Sequence, residues 1–102
     1  MSRVQVRGIT FTEAVLRRPA MYTVNGTFAE AVSFLEGYYS GMAHGNIDAP
    51  PAIEWTDFRR WLAGRLGVDS ADSFKEIYQS HHEDCERVKA LADWYARFRA
   101  ER

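Results

Sequence analysis

One stretch constrains this chain more than any other: Thr27 to Ala43. Thr27 and Glu30 have the Thr-x-x-Glu spacing of a capping box. In such a box each side chain meets a backbone N–H that the first turn of a helix leaves without a partner. Behind it Phe28, Ala31, Val32, Leu35, Tyr39 and Met42 recur at the three- and four-residue spacing of one helical face. Phe34 and Tyr38, four residues apart, add an aromatic pair on its flank. A helix that is apolar on more than one side needs neighbours on more than one side. The pattern therefore predicts a central helix from Phe28 to about Ala43, with others packed round it.

The remaining segments supply those neighbours. Residues 3–7 alternate Arg-Val-Gln-Val-Arg, a strand-like pattern with no partner strand, and read as a short extended arm. Thr10 or Thr12 can cap a short helix through Glu13, Val15 and Leu16. Pro19 ends that helix by pushing Arg18 out of helical geometry. Asn25-Gly26 marks a turn, and Gly45-Asn46 ends the central helix. Pro50-Pro51, within Asp48 to Ile53, reads as an extended connector. A third helix is then expected from Thr56 or Asp57, with Phe58, Trp61, Leu62 and Leu66 buried and Gly67 as a left-handed cap.

Ser73 with Glu76, and Ser80 with Glu83, repeat the capping-box spacing. The first would open a short helix holding Phe74, Ile77 and Tyr78. The second would open a terminal helix with Cys85, Val88, Leu91, Ala92, Tyr95 and Phe98 on one face. The two could equally form one bent helix. The fold expected is all-α: a compact single-domain bundle of about five helices over residues 1–102, with a short extended N-terminal arm. Leu35, Trp61, Leu91 and Tyr95 sit mid-stripe and are expected to be buried.

Composition narrows the function. The chain has 102 residues, room for one modest core, with 46% hydrophobic, 26% charged and 14% aromatic residues. No apolar run approaches the ~20 residues of a membrane span, and Met1 to Arg7 lacks the apolar block of a signal peptide. A single cysteine, Cys85, permits no internal disulfide, which fits a cytoplasmic location. The net charge of −1 argues against nucleic acid as the partner. That small total hides a pattern. Residues 27–58 hold Glu30, Glu36, Asp48, Glu54 and Asp57 without any Lys or Arg. Basic residues gather at Arg17 and Arg18, at Arg59, Arg60 and Arg65, and from Arg87 to Arg102. These blocks either close on one another in the fold or make an acidic face.

Candidate chemistry is sparse. His81, His82 and Cys85 lie three and four residues apart, a chelating spacing on a helix, but no second Cys/His pair completes a zinc site. The bland alternative is a helix start with two exposed imidazoles and a cysteine tucked into the core. A nucleophilic cysteine would need an electropositive setting, and Glu83, Asp84 and Glu86 surround Cys85 instead. No glycine-rich phosphate loop is present. The chain is therefore expected to have no catalytic residues, no metal and no cofactor.

Arg18-Pro19-Ala20-Met21-Tyr22 looks like a signature near the start of type II topoisomerase ATPase subunits, but the nucleotide motifs of that fold are missing. A second resemblance covers most of the chain. Small bacterial proteins found beside toxin or effector genes carry an Arg-Pro-x-Met-Tyr element, then a Phe-Leu-x-Gly-Tyr helix, a Phe-x-x-Trp helix and an aromatic-rich final helix. Arg18 to Tyr22, Phe34 to Tyr38, Phe58 to Trp61 and Ala92 to Phe98 match that order. This chain departs where such proteins often carry Gly, at Ala20, or Trp, at Phe74. The resemblance implies an immunity-type protein that neutralises a toxin by masking it; the alternatives are a helical regulatory or accessory module and, behind it, a small metal- or Cys-dependent enzyme using His81, His82 and Cys85. Within the motifs, Met21 and Tyr22 are expected to plug the core and Gly37 to permit close helix packing.

The contact surface expected for such a protein is Glu36, Tyr38, Tyr39, His44, Asp48, Glu54, Trp55 and Asp57. Its partner would be a protein, with a basic toxin domain suiting an acidic, aromatic surface best.

Overall fold

The computed structural model describes residues 10–45 and 49–101. They form an all-α bundle of five α-helices and two short 3₁₀ turns, with no strand among the described residues. The expected arm at residues 3–7, the Asn46 helix stop and Asp48 lie outside the described residues.

Helix α1 (Phe11–Arg17) begins with a complete capping box. Thr10 Oγ1 accepts the Glu13 N–H at 3.1 Å, and Glu13 Oε1 accepts the Thr10 N–H at 2.8 Å. Pro19 ends it as expected and opens a 3₁₀ turn, Pro19–Met21. The chain then reverses at Gly26, where φ is +69° and a Cβ would fall 2.9 Å from the Ala20 backbone nitrogen. Helix α2 (Phe28–Gly45) starts with the second capping box, Thr27 with Glu30. Glu30 Oε1 also accepts the Asn25 N–H. The backbone N–H of Thr27, followed by that of Asn25, holds this carboxyl below its ordinary range.

Helix α3 (Pro50–Leu66) corrects the expected boundaries. Pro50-Pro51 is its first turn, not a connector, and the helix starts some six residues ahead of Thr56. The first N–H groups of a helix have no acceptor in any case, so proline's missing donor does no harm there. The longer helix places Ala52 and Trp55 on the buried stripe with Phe58 and Leu62. Gly67, at φ +71°, caps it as expected by donating its N–H to Ala63 O.

Neither of the later Ser/Glu pairs caps a helix. A 3₁₀ turn, Ser70–Asp72, runs straight into α4 (Ser73–Ser80), and the buried Ser73 Oγ donates to Ser70 O. Ser80 is the last residue of α4, and its hydroxyl donates back to Glu76 O. His81, extended at φ −133° and ψ 151°, separates α4 from α5 (Asp84–Glu101), so these are two helices. Arg87 clasps the corner. Its Nε donates to Tyr78 O and His81 O, its guanidinium lies over the Tyr78 ring, and Asp84 pairs with it at 3.3 Å. Asp84 also accepts the Phe28 N–H, which fixes the start of α2 to the start of α5.

The helices enclose one core. Helix α3 packs against α2, α4 and α5, while α1 lies on α5 and α2. Val15, Ala31, Leu35, Phe58, Leu62 and Leu91 are fully buried, and Tyr95 nearly so. Three expectations for the core fail. Trp61 is only half-buried, because it sits at the edge of the α3–α5 contact between Phe98, Trp94 and Arg65. Met21 is 69% exposed at the end of its turn. Cys85 lies off the Val88–Leu91–Tyr95 stripe and is exposed. Gly37 also faces solvent, with nothing within 4 Å of where a Cβ would stand, so no helix packs closely there.

Leu35→Ala is expected to destabilise the fold by about 2–5 kcal/mol, because no neighbour can collapse fully into the space. Chemical denaturation measures this. Trp61→Ala, at the rim of the core, should cost less than Leu35→Ala, and the reverse order would refute this placement.

Candidate functional site

The expected contact residues divide by environment. Tyr39 and Trp55 belong to the core, 5% and 4% exposed, with rings stacked 5.6 Å apart. Trp55 is there because α3 starts early, and Tyr39 because it faces both α1 and α3. Neither offers its ring to a partner. Tyr38 is 42% exposed, His44 is exposed, and Asp48 lies outside the described residues.

The acidic residues are engaged inside the fold. Glu36 Oε1 accepts the Trp55 indole N–H at 3.0 Å and lies 3.2 Å from Arg59 Nε. That second contact is an ion pair without hydrogen-bond alignment, so the buried Arg59 Nε–H has no directed acceptor. Glu54 accepts the Tyr95 hydroxyl at 2.9 Å and pairs with Arg99 at 3.1 Å. Asp57 pairs with Arg60 one turn along, at 3.6 Å. Of the two arrangements open in the sequence, the one found is closure: Glu36, Glu54 and Asp57 each meet an arginine from a basic block. Such half-exposed pairs contribute little stability individually.

Four of the expected residues do converge. Glu36, Tyr39, His44 and Trp55 line a cleft of about 280 Å³ between α2 and α3, with Arg59 on its far wall. Glu54 stands on the other side of Tyr39, beside a second cleft of about 460 Å³ with Pro50, Pro51 and Arg99.

A surface cluster that the sequence reading did not assemble lies along the α1–α2 flank. Phe11 stands 4.5 Å from Tyr38 and 5.6 Å from Tyr22, and Tyr22 and Tyr38 each lie about 6 Å from Phe34. Met21, the residue before Tyr22, is exposed at the end of its turn, and Val24, close by in sequence, is also exposed. Tyr22 comes from the Arg-Pro-x-Met-Tyr element, and Phe34 and Tyr38 from the Phe-Leu-x-Gly-Tyr element. Each motif was legible alone, but only the turn at Gly26 brings them together. The outer face of α2 beside them, Ser33, Gly37, Ser40 and Gly41, is exposed and carries no charge.

The metal-like cluster does not assemble. His81 is extended between two helices, so helical spacing does not apply to it. Cys85 points its thiol towards Glu83 Oε1 at 3.6 Å. Among the described residues no group of three or more His, Cys, Asp or Glu is placed to hold a metal ion. Likewise, no helix among them is long and apolar enough to cross a membrane. Comparison with protein-family models, curated proteins and solved structures finds no match to this chain.

The buried phenols give a pH test. Burial raises Tyr39 and Tyr95 above their ordinary value of 10.0, and this outweighs the hydroxyls of Thr12 and Thr10, which act the other way. A pKa raised in the folded state means stability that is whole below the unfolded value and is lost as pH rises through the folded one. Thermal midpoints should therefore hold steady up to about pH 9 and then fall above about pH 10. Combining Tyr39→Phe with Tyr95→Phe should flatten that alkaline fall. An unchanged slope would mean that the two hydroxyls are not desolvated.

Proposed function

We propose that this chain is a non-catalytic protein-binding module of the immunity type, which neutralises a toxin by covering it. The observation that carries this reading is the Tyr22–Phe34–Tyr38 cluster with the exposed Met21. Partly exposed aromatic side chains beside an uncharged helix face, with an exposed methionine next to one of them in sequence, have the make-up of an interface centre. The resemblance to toxin-associated proteins points the same way, since its two leading motifs supply this surface.

The structure alters how contact would be made. Glu36, Glu54 and Asp57 already hold arginines, so a basic toxin domain would have to exchange those ion pairs to bind them. Apolar contact through Tyr38 and Met21 is therefore the main source of affinity, and the paired carboxylates with His44 form a polar rim.

The test is a pull-down with the product of the neighbouring gene, followed by binding kinetics. Tyr38→Ala and Met21→Glu should each weaken binding by roughly 10- to 100-fold, mainly through faster dissociation. Glu36→Lys should change it less than about threefold. A toxin inhibited by this chain establishes the reading. A captured partner that binds both apolar variants like the parent places the interface elsewhere.

A further inference from the structure

A groove of about 560 Å³ runs between α1 and the first turns of α5. That volume falls within the ~300–1,000 Å³ usual for small-molecule sites. Its walls are apolar: Leu16 and Val88, both almost wholly buried, with the half-buried Pro19 and Ala92 above them. Its rim carries charge. Arg17 is exposed and forms no ion pair among the described residues. Lys89, opposite, is held only by a surface pair with Asp93 at 3.1 Å. Asp84, the carboxylate at this rim, accepts the Phe28 N–H and pairs with Arg87, both through Oδ1. An incoming group thus meets aliphatic walls below and an unneutralised guanidinium above.

We propose that this groove binds a free aliphatic carboxylate of medium chain length, with its tail against Leu16, Val88 and Ala92 and its head on Arg17. Charge complementarity selects the head: the rim carries two cations, Arg17 and Lys89, and one carboxylate, Asp84, which already pairs with Arg87, and a carboxylate takes a fork of N–H donors from Arg17. The apolar walls select the tail. None of the residues lining the groove belongs to the Tyr22–Phe34–Tyr38 cluster, and the proposal does not depend on the immunity reading.

Cys85 supplies the readout. It is the only cysteine in the chain, it is exposed, and it lines the groove, so its alkylation rate reports occupancy. Decanoate should slow its reaction with N-ethylmaleimide saturably, by at least about fivefold. Decanol, with the same chain and no charge, should need roughly tenfold more for equal protection. Arg17→Gln should erase the difference between the two probes. Ala92→Phe, which fills the groove from a half-buried wall, should abolish protection while leaving the helical circular dichroism intact. An alkylation rate unaffected by decanoate below its micelle concentration overturns the proposal. So does equal protection by decanol, or protection that survives Ala92→Phe. Slow alkylation in the free protein that speeds up on dilution would mean that a second copy covers the groove, and overturns it as well.

Discussion

The fold depends on a file of rings that crosses its middle. Tyr39 of α2 stacks on Trp55, Trp55 lies 5.7 Å from Phe58 on the same helix, and Phe58 meets Tyr95 and Phe98 of α5. Phe74 of α4 stacks on the other side of Trp55. Four helices are joined through side chains that bury large areas, and each aromatic pair adds about 0.5–1.5 kcal/mol beyond that burial. A domain of this size has a net stability of only about 5–15 kcal/mol, so a handful of ring contacts is a substantial part of it.

Rings with polar ends cannot be buried without partners. The Trp55 indole donates to Glu36, the Tyr39 hydroxyl meets Thr12 at 2.8 Å, and the Tyr95 hydroxyl donates to Glu54. These needs place the carboxylates. Glu36 and Glu54 stand where they do to satisfy aromatic donors, and Arg59 and Arg99 then complete their charge. The acidic stretch of the sequence is thereby drawn into the architecture, and uncharged residues are left to dominate the outer face of α2.

The sequence was a reliable guide wherever a local signal had a single structural use. The Thr27–Glu30 box, the Pro19 stop, the Gly67 cap and the stripe around Leu35 all form as their spacing required. Errors arose where one local pattern serves two purposes. Pro50-Pro51 suits an extended linker and equally the first turn of a helix, and the choice falls to the packing of Trp55, a tertiary fact. Ser80 has the spacing of a cap, yet it ends α4, because Arg87 holds the Tyr78 and His81 carbonyls and Asp84 opens the next helix. The candidate surface suffered for the same reason. Trp55 and Tyr39 appeared among acidic residues in sequence but stack face to face across a helix contact, while Tyr22 joined Tyr38 in one cluster, through Phe34 and Phe11, only once the chain turned at Gly26.

The placement of α1 on α5 brings the first and last helices of the described residues together. Thr10 Oγ1 and the Tyr95 hydroxyl are 3.2 Å apart although 85 residues separate them. From Tyr95 the last helix climbs only about 9 Å further to Glu101, at 1.5 Å per residue. A link from Glu101 back to Thr10 would be a loop closure whose entropic cost grows only with the logarithm of its length. Over the described residues the bundle is close to a ring that stands open beside α1. The exposed turn at Gly67 is an equivalent place for that opening, because reopening the ring there separates no pair of helices that pack through Phe58 or Tyr95.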